Sequence, residues 1–120
     1  MNLENLPNFF NDQTLEEEIV EGKIRRCVFT AQNIQTIVYH FPPDTVFPLH
    51  THDKHEQMGY LVSGKMGFNA GGDVRTLLPG DFYYAPIGME HNAWTLDEPS
   101  VLLDFFSPIR EDLVKTTPSE

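Results

Sequence analysis

The sequence predicts an all-β domain folded as a sandwich or a closed barrel. Three observations carry that prediction. From Lys23 onward the chain falls into short runs rich in β-branched and aromatic residues, each bounded by Gly, Pro, Asn or Asp. These runs follow one another too closely to leave room for the crossover helices of a βαβ fold. His50 and His52, at i and i+2, share one face of a strand, because side chains alternate with period two.

The elements follow in order. Residues 14–21 admit two readings: a helix opened by the T-x-x-E spacing, or a first strand that turns at Gly22. Residues 23–30 and 34–41 are strands split by the polar pair Gln32-Asn33, and Pro42-Pro43-Asp44 is a turn. Strands then run over 46–52, 57–62, 65–69, 74–78, 81–85, 91–96 and 101–106, with a hairpin turn at Ala70-Gly71-Gly72-Asp73. From Pro108 the chain exits, with a short helix over 109–115. One domain is expected over 1–120, with a barrel core over about 34–106.

Composition narrows the function. The 120 residues include 40% hydrophobic residues and nine phenylalanines, enough to bury a core without disulfides. The net charge of −10 argues against nucleic acid and against anionic membranes, since both require a basic surface. An anionic substrate must therefore find local positive charge, from a metal or a placed arginine. Cys27 is alone, so no intrachain disulfide forms, and its strand context marks it as a buried small residue. There is no basic and apolar leader at the start of the sequence and no run of about 18 apolar residues, so a cytoplasmic protein is expected.

Chemistry concentrates in P-L-H-T-H-D-K-H-E-Q and, later, P-I-G-M-E-H. Imidazole is a common ligand for zinc, nickel, iron and copper. His50 and His52 on one strand, with His91 arriving after Pro86-x-Gly88, read as a metal site inside a β-structure. His55 lies in the loop between, as a further ligand or a substrate contact, and His40 beside Phe41-Pro42 reads as structural. Glu56 and Gln57 are adjacent, so only one faces the metal, and phase alone leaves the choice open.

A second cluster lies at the C-terminal end. Asp104 sits inside the apolar run 101–106, where a buried carboxylate is costly unless paired or near a metal. Facing inward it would move protons, with Phe106 in the same phase. Arg110 follows Pro108, and a guanidinium folded over the barrel mouth suits bidentate capture of a carboxylate. Both also have structural readings, as a salt-bridged Asp and a surface Arg.

The region resembles the cupin superfamily. His50-x-His52-x4-Gln57-x6-Gly64 matches the spacing of that family's first motif, with glutamine in the glutamate slot and Asp44 where a leading glycine is expected. Gly80-x5-Pro86-x-Gly88-x2-His91 matches the second motif, with Thr95 in place of its final asparagine. The resemblance implies a single-domain cupin, a double-stranded β-helix (jelly-roll) barrel with one divalent metal ion (Zn, Ni, Mn or Fe) near its mouth. It selects Gln57 over Glu56 by spacing. Three imidazoles and an amide oxygen are neutral ligands, so the ion keeps its full charge as a Lewis acid.

With D-x-F-S-P-x-R-E-D added, the chain is similar to the small cupins of pectin and alginate breakdown, which convert 4,5-unsaturated uronates to linear keto forms. That resemblance implies His50, His52, Gln57 and His91 as metal ligands. It implies Asp104 as acid/base, Phe106 as a pocket wall and Arg110 as the carboxylate clamp. Tyr60 and Tyr84 are expected as pocket walls, or as the base of a rival lyase. An iron dioxygenase and a non-catalytic sensor of small sugars or acids are the other rivals. Small cupins also imply a homodimer, for which the apolar segment 34–41 offers an edge.

Overall fold

The computed structural model describes residues 6–114. Its strands are β1 (Glu17–Val20), β2 (Ile24–Thr30), β3 (Gln35–Phe41), β4 (Val46–His50), β5 (Glu56–Ser63), β6 (Met66–Ala70), β7 (Asp73–Leu77), β8 (Phe82–Ala85), β9 (His91–Thr95) and β10 (Ser100–Ser107). They form a six-stranded sheet in the order β1-β2-β3-β10-β5-β8 and a four-stranded sheet in the order β4-β9-β6-β7. Every pairing is antiparallel.

Alternation decides what enters the core. β3 buries Gln35, Ile37, Tyr39 and Phe41, and β10 buries Ser100, Leu102, Asp104 and Phe106. β9 buries His91, Ala93 and Thr95 on the opposing sheet. Ile37, Leu61 and Met66 are fully buried, each contributing roughly 1.5–3 kcal/mol by leaving water. Most inward residues are thus ordinary core; Gln35, Gln57, His91 and Asp104 lie toward one end, and Thr45, Thr95 and Ser100 toward the other.

Two of the three departures from the cupin motifs, Asp44 and Thr95, have structural reasons in the turns. Asp44 adopts the left-handed backbone (φ 53°) that a glycine would favour, and its N–H donates to Leu96 O at 2.7 Å. The Thr95 hydroxyl accepts from Thr45 N–H at 3.0 Å and donates to Pro42 O at 2.6 Å. A threonine therefore ties the β3–β4 turn to β9.

Of the two readings of residues 14–21, the strand is the one realised, over 17–20, where pairing with β2 satisfies the backbone. Other sequence expectations are corrected. The strand expected over 46–52 ends at His50, so His52 stands in the following loop. β3 is bonded on both sides, to β2 and to β10, so it offers no free edge for a partner. The exit helix shrinks to one 3-10 turn, Glu111–Leu113, closed on the core by buried Leu113; Lys115 lies outside the described residues. Cys27 is buried as expected, its thiol 3.3 Å from Asp12 O. No helix among the described residues is long and apolar enough to cross a membrane.

Candidate metal centre

Strand register builds the first part of the site. His50 on β4 is paired directly with His91 on β9. Their ring centroids are 4.2 Å apart, and His52 brings its ring to 4.9 Å from His50 and 5.5 Å from His91. Each of the three offers a nitrogen within 4.8 Å of the others. His50 Nδ1 lies 2.7 Å from Pro48 O and His91 Nδ1 lies 3.0 Å from Met89 O. An Nδ1–H donated to a carbonyl leaves Nε2 with its lone pair, the usual way a metal-binding imidazole is oriented.

The donor atoms fit a cation. Among the described residues, His52 Nε2, His55 Nε2, His91 Nε2 and Gln57 Oε1 are buried with no hydrogen-bond partner. A buried acceptor left unsatisfied costs about 1–3 kcal/mol, and three of the four belong to the residues that the spacing singled out. Burial pulls the His52 imidazole down to about 3 and the His91 imidazole down to about 4, and it also lowers His50. Nearby Arg110 pushes all three in the same direction. The rings are therefore neutral at neutral pH, with lone pairs free to bind a metal. Of the adjacent pair, Gln57 is buried and lines the cavity, whereas Glu56 is exposed and accepts a hydrogen bond from Tyr84 at 2.7 Å.

The cavity beside the histidines is lined in part by Tyr83, Asp104, Phe106 and Arg110. Tyr83 accepts a hydrogen bond from Gln57 Nε2 at 2.8 Å and donates its own proton to Asp104 Oδ1 at 2.6 Å. Burial lifts the Asp104 carboxyl to about 7, against the lowering effects of the Tyr83 hydrogen bond and the Arg110 charge. Burial and Asp104 together hold the Tyr83 hydroxyl well above its ordinary value, so it stays protonated. Gly59 makes the arrangement possible. It is paired with both Asp104 and Tyr83, and a Cβ there would lie 2.0 Å from the Tyr83 ring and 2.6 Å from Asp104 Oδ1.

Arg110 comes from the exit segment. Its guanidinium stands over the Phe106 ring, 5.1 Å from the centroid, and is paired with Asp112 at 2.9 Å. Asp112 takes two of its five N–H groups, leaving three for a ligand. Its backbone is gripped by Gln35 at both ends of the amide: Arg110 N–H donates to Oε1 at 3.0 Å, and Nε2 donates to Arg110 O at 3.3 Å.

Comparison with known proteins agrees with this geometry. Residues 37–106 match the family described as Cupin domain. The chain belongs to the cupin family. It is 33% identical over 106 residues to the pectin degradation protein KdgF of Dickeya dadantii (strain 3937), covering 88% of this chain and 96% of that one. It superposes on the solved structure of KdgF from a Halomonas species with a TM-score of 0.84 and 31% identity, covering 91% of this chain and all of that one. An RmlC-like cupin from Shewanella frigidimarina follows at TM-score 0.82 and 27% identity, over 91% of this chain and 97% of that one.

Two residues expected in this cupin's pocket are elsewhere. Tyr60 lies on the outer face of β5, its ring 4.7 Å from Phe82. Tyr84 is exposed on the outer face of β8 and bonds Glu56. Tyr60 follows from parity once Gln57 faces inward on the same strand, and Tyr84 from the register Gln57↔Ala85, which turns Tyr83 in and Tyr84 out. The tyrosine that enters is Tyr83, which sequence reasoning missed because Phe82-Tyr83-Tyr84 has no alternation to read. His55 is buried beside His52, ring centroids 4.2 Å apart, and edge-on to Phe106 at 5.3 Å, outside the three-histidine cluster.

Proposed function

We propose that this cupin is a metal-dependent enzyme that converts 4,5-unsaturated uronate monosaccharides to their linear keto forms in pectin or alginate catabolism. The observation that carries the reading is a buried carboxyl, Asp104, in one cavity with the histidine cluster and Arg110. The two KdgF relatives support it, one of them named for pectin degradation.

His50, His52, Gln57 and His91 would hold one divalent ion, which when bound supplies a Lewis acid for a substrate oxygen. The chain's own residues do the rest. Arg110 binds the uronate carboxylate with its free N–H groups, and Phe106 forms the wall beneath it. Ring opening removes a proton from the anomeric hydroxyl, breaks the ring C–O bond and adds a proton to the enol carbon. The buried carboxyl of Asp104 can take the first proton and return the second, with no net proton consumed. No redox step, covalent nucleophile or organic cofactor is required. We also propose a homodimer formed through the outer face of the six-stranded sheet, where Met58, Val62 and Phe82 are exposed. Light scattering that returned a one-chain mass would overturn the dimer.

The test is to add purified, metal-loaded protein to freshly made unsaturated galacturonate and follow the enol absorbance and the NMR spectrum. Loss faster than in buffer, abolished by Asp104→Asn with the metal retained, is the expected result. Loss no faster than in buffer, with metal confirmed bound, would overturn the proposal.

A further inference from the structure

We propose that Tyr83 decides which end of the Gln57 side chain meets the metal, and that its single hydroxyl proton is why this site takes glutamine instead of glutamate. The inference rests on Gln57 as a metal ligand and extends that reading to a positioning residue outside the ligand set. It does not depend on the uronate as substrate.

The argument is a count of donors. The Tyr83 hydroxyl has one hydrogen, and Asp104 Oδ1 receives it at 2.6 Å. What the hydroxyl offers Gln57 is therefore a lone pair, which suits the N–H end of an amide, and Nε2 stands there at 2.8 Å. Gln57 Oε1 is left turned away, buried and without a partner among the described residues. Reversing the amide would put two acceptors on one proton at Tyr83 and present N–H groups to the metal in place of an oxygen. All three side chains are buried, so water cannot mend a mismatch. The chain Gln57 → Tyr83 → Asp104 has one polarity, and Asp104 sets it.

A carboxylate at position 57 has no hydrogen to give. With Asp104 ionised on the other side, it would face Tyr83 as one of two carboxylates sharing a single donor in a buried site. The neutral ligand and the buried acid are thus a matched pair joined through one phenol. The pairing can be inverted on paper. With Gln57→Glu and Asp104→Asn together, the asparagine amide donates to the Tyr83 oxygen and the Tyr83 hydroxyl donates to the glutamate. Every group is again satisfied, with the chain running backwards.

The experiment uses the full chain and two readouts that need no turnover. Zinc and nickel affinity by chelator competition should fall 10–100-fold in Tyr83→Phe, the usual loss when a residue orienting a ligand is removed. Thermal melting of the metal-free protein should show Gln57→Glu melting roughly 5–10 °C below the native chain. Asp104→Asn should then raise the Gln57→Glu protein by several degrees more than it raises the native one. If Gln57→Glu alone does not fold, recovery of folded protein in the double variant is the same rescue. Tyr83→Phe binding both ions within twofold of the native protein would overturn the orienting role. Equal effects of Asp104→Asn in the two backgrounds would overturn the matched pair. Loss of uronate activity, by contrast, bears on the proposed reaction and not on this pairing.

Discussion

Replacing Asp104 by asparagine should stabilise the metal-free protein, and the gain should depend on pH. Burial raises the carboxyl from 3.8 to about 7, a gap of about three pH units. At 1.36 kcal/mol per unit, the native fold favours the protonated form by about 4 kcal/mol. In the unfolded chain the group ionises near its ordinary value, so between 3.8 and 7 the unfolded state releases a proton that the fold retains. Native stability from this group is therefore fully present at low pH and is lost as pH rises to about 7, after which it levels. Asparagine does not titrate and still accepts the Tyr83 hydrogen bond. The stability difference, variant minus native, should grow by about 2–3 kcal/mol from pH 5 to 7 and stay flat above. Urea unfolding at pH 5, 6, 7 and 8 with a chelator present measures it. A difference constant to within about 0.5 kcal/mol, or one that shrinks with rising pH, would refute the placement of an acid in that cavity.

Three further outcomes follow from the geometry. Arg110→Lys exchanges a planar fork for a point charge, so the KM for an unsaturated uronate should rise roughly tenfold or more while kcat changes little; steady-state kinetics reads the split. Gly59→Ala places a methyl 2.0 Å from the Tyr83 ring and should destabilise the fold by about 1–3 kcal/mol while displacing Tyr83 and Asp104, visible as a lower melting point and lost turnover. Zinc or nickel at about 100 times its Kd should raise the melting point by roughly 10 °C, and His91→Ala should abolish the rise, as differential scanning fluorimetry would show.

The strands were legible wherever alternation was clean. β3 sets Ile37, Tyr39 and Phe41 against Thr36, Val38 and His40, and the structure buries the face that alternation marks; β10 is apolar on both faces, and only Asp104 interrupts the run. The histidines were legible from spacing, although His50 and His52 are brought together by a strand end and a loop, not by one strand. The tyrosines show where reading stops. An inward Gln57 already implied an outward Tyr60, since the two differ by an odd number of residues. In β8 no parity was visible, because three aromatics run in succession. Only the register Gly59↔Tyr83 identifies which of them enters, and register is a property of two strands, not of one. The same is true of Gln35: a fully buried amide on β3 meets Arg110 across 75 positions of sequence, a contact that no local pattern announces.

That grip makes the segment after β10 a latch on the pocket. Peeling residues 108–114 from the barrel would withdraw the Arg110 cation, uncover Leu113 and strip Gln35 of both its bonds to Arg110 in one movement. Gln35 would keep only its bond to Thr30. Under the proposed clamp role of Arg110, anion capture and docking of residues 108–114 would be one equilibrium: an anion on the guanidinium would tighten the segment, and whatever pulls on the segment would loosen the anion. A tag, a protease or a neighbouring chain acting at the C-terminal side of this barrel would be felt at the substrate carboxylate, although it touches neither the metal nor Asp104.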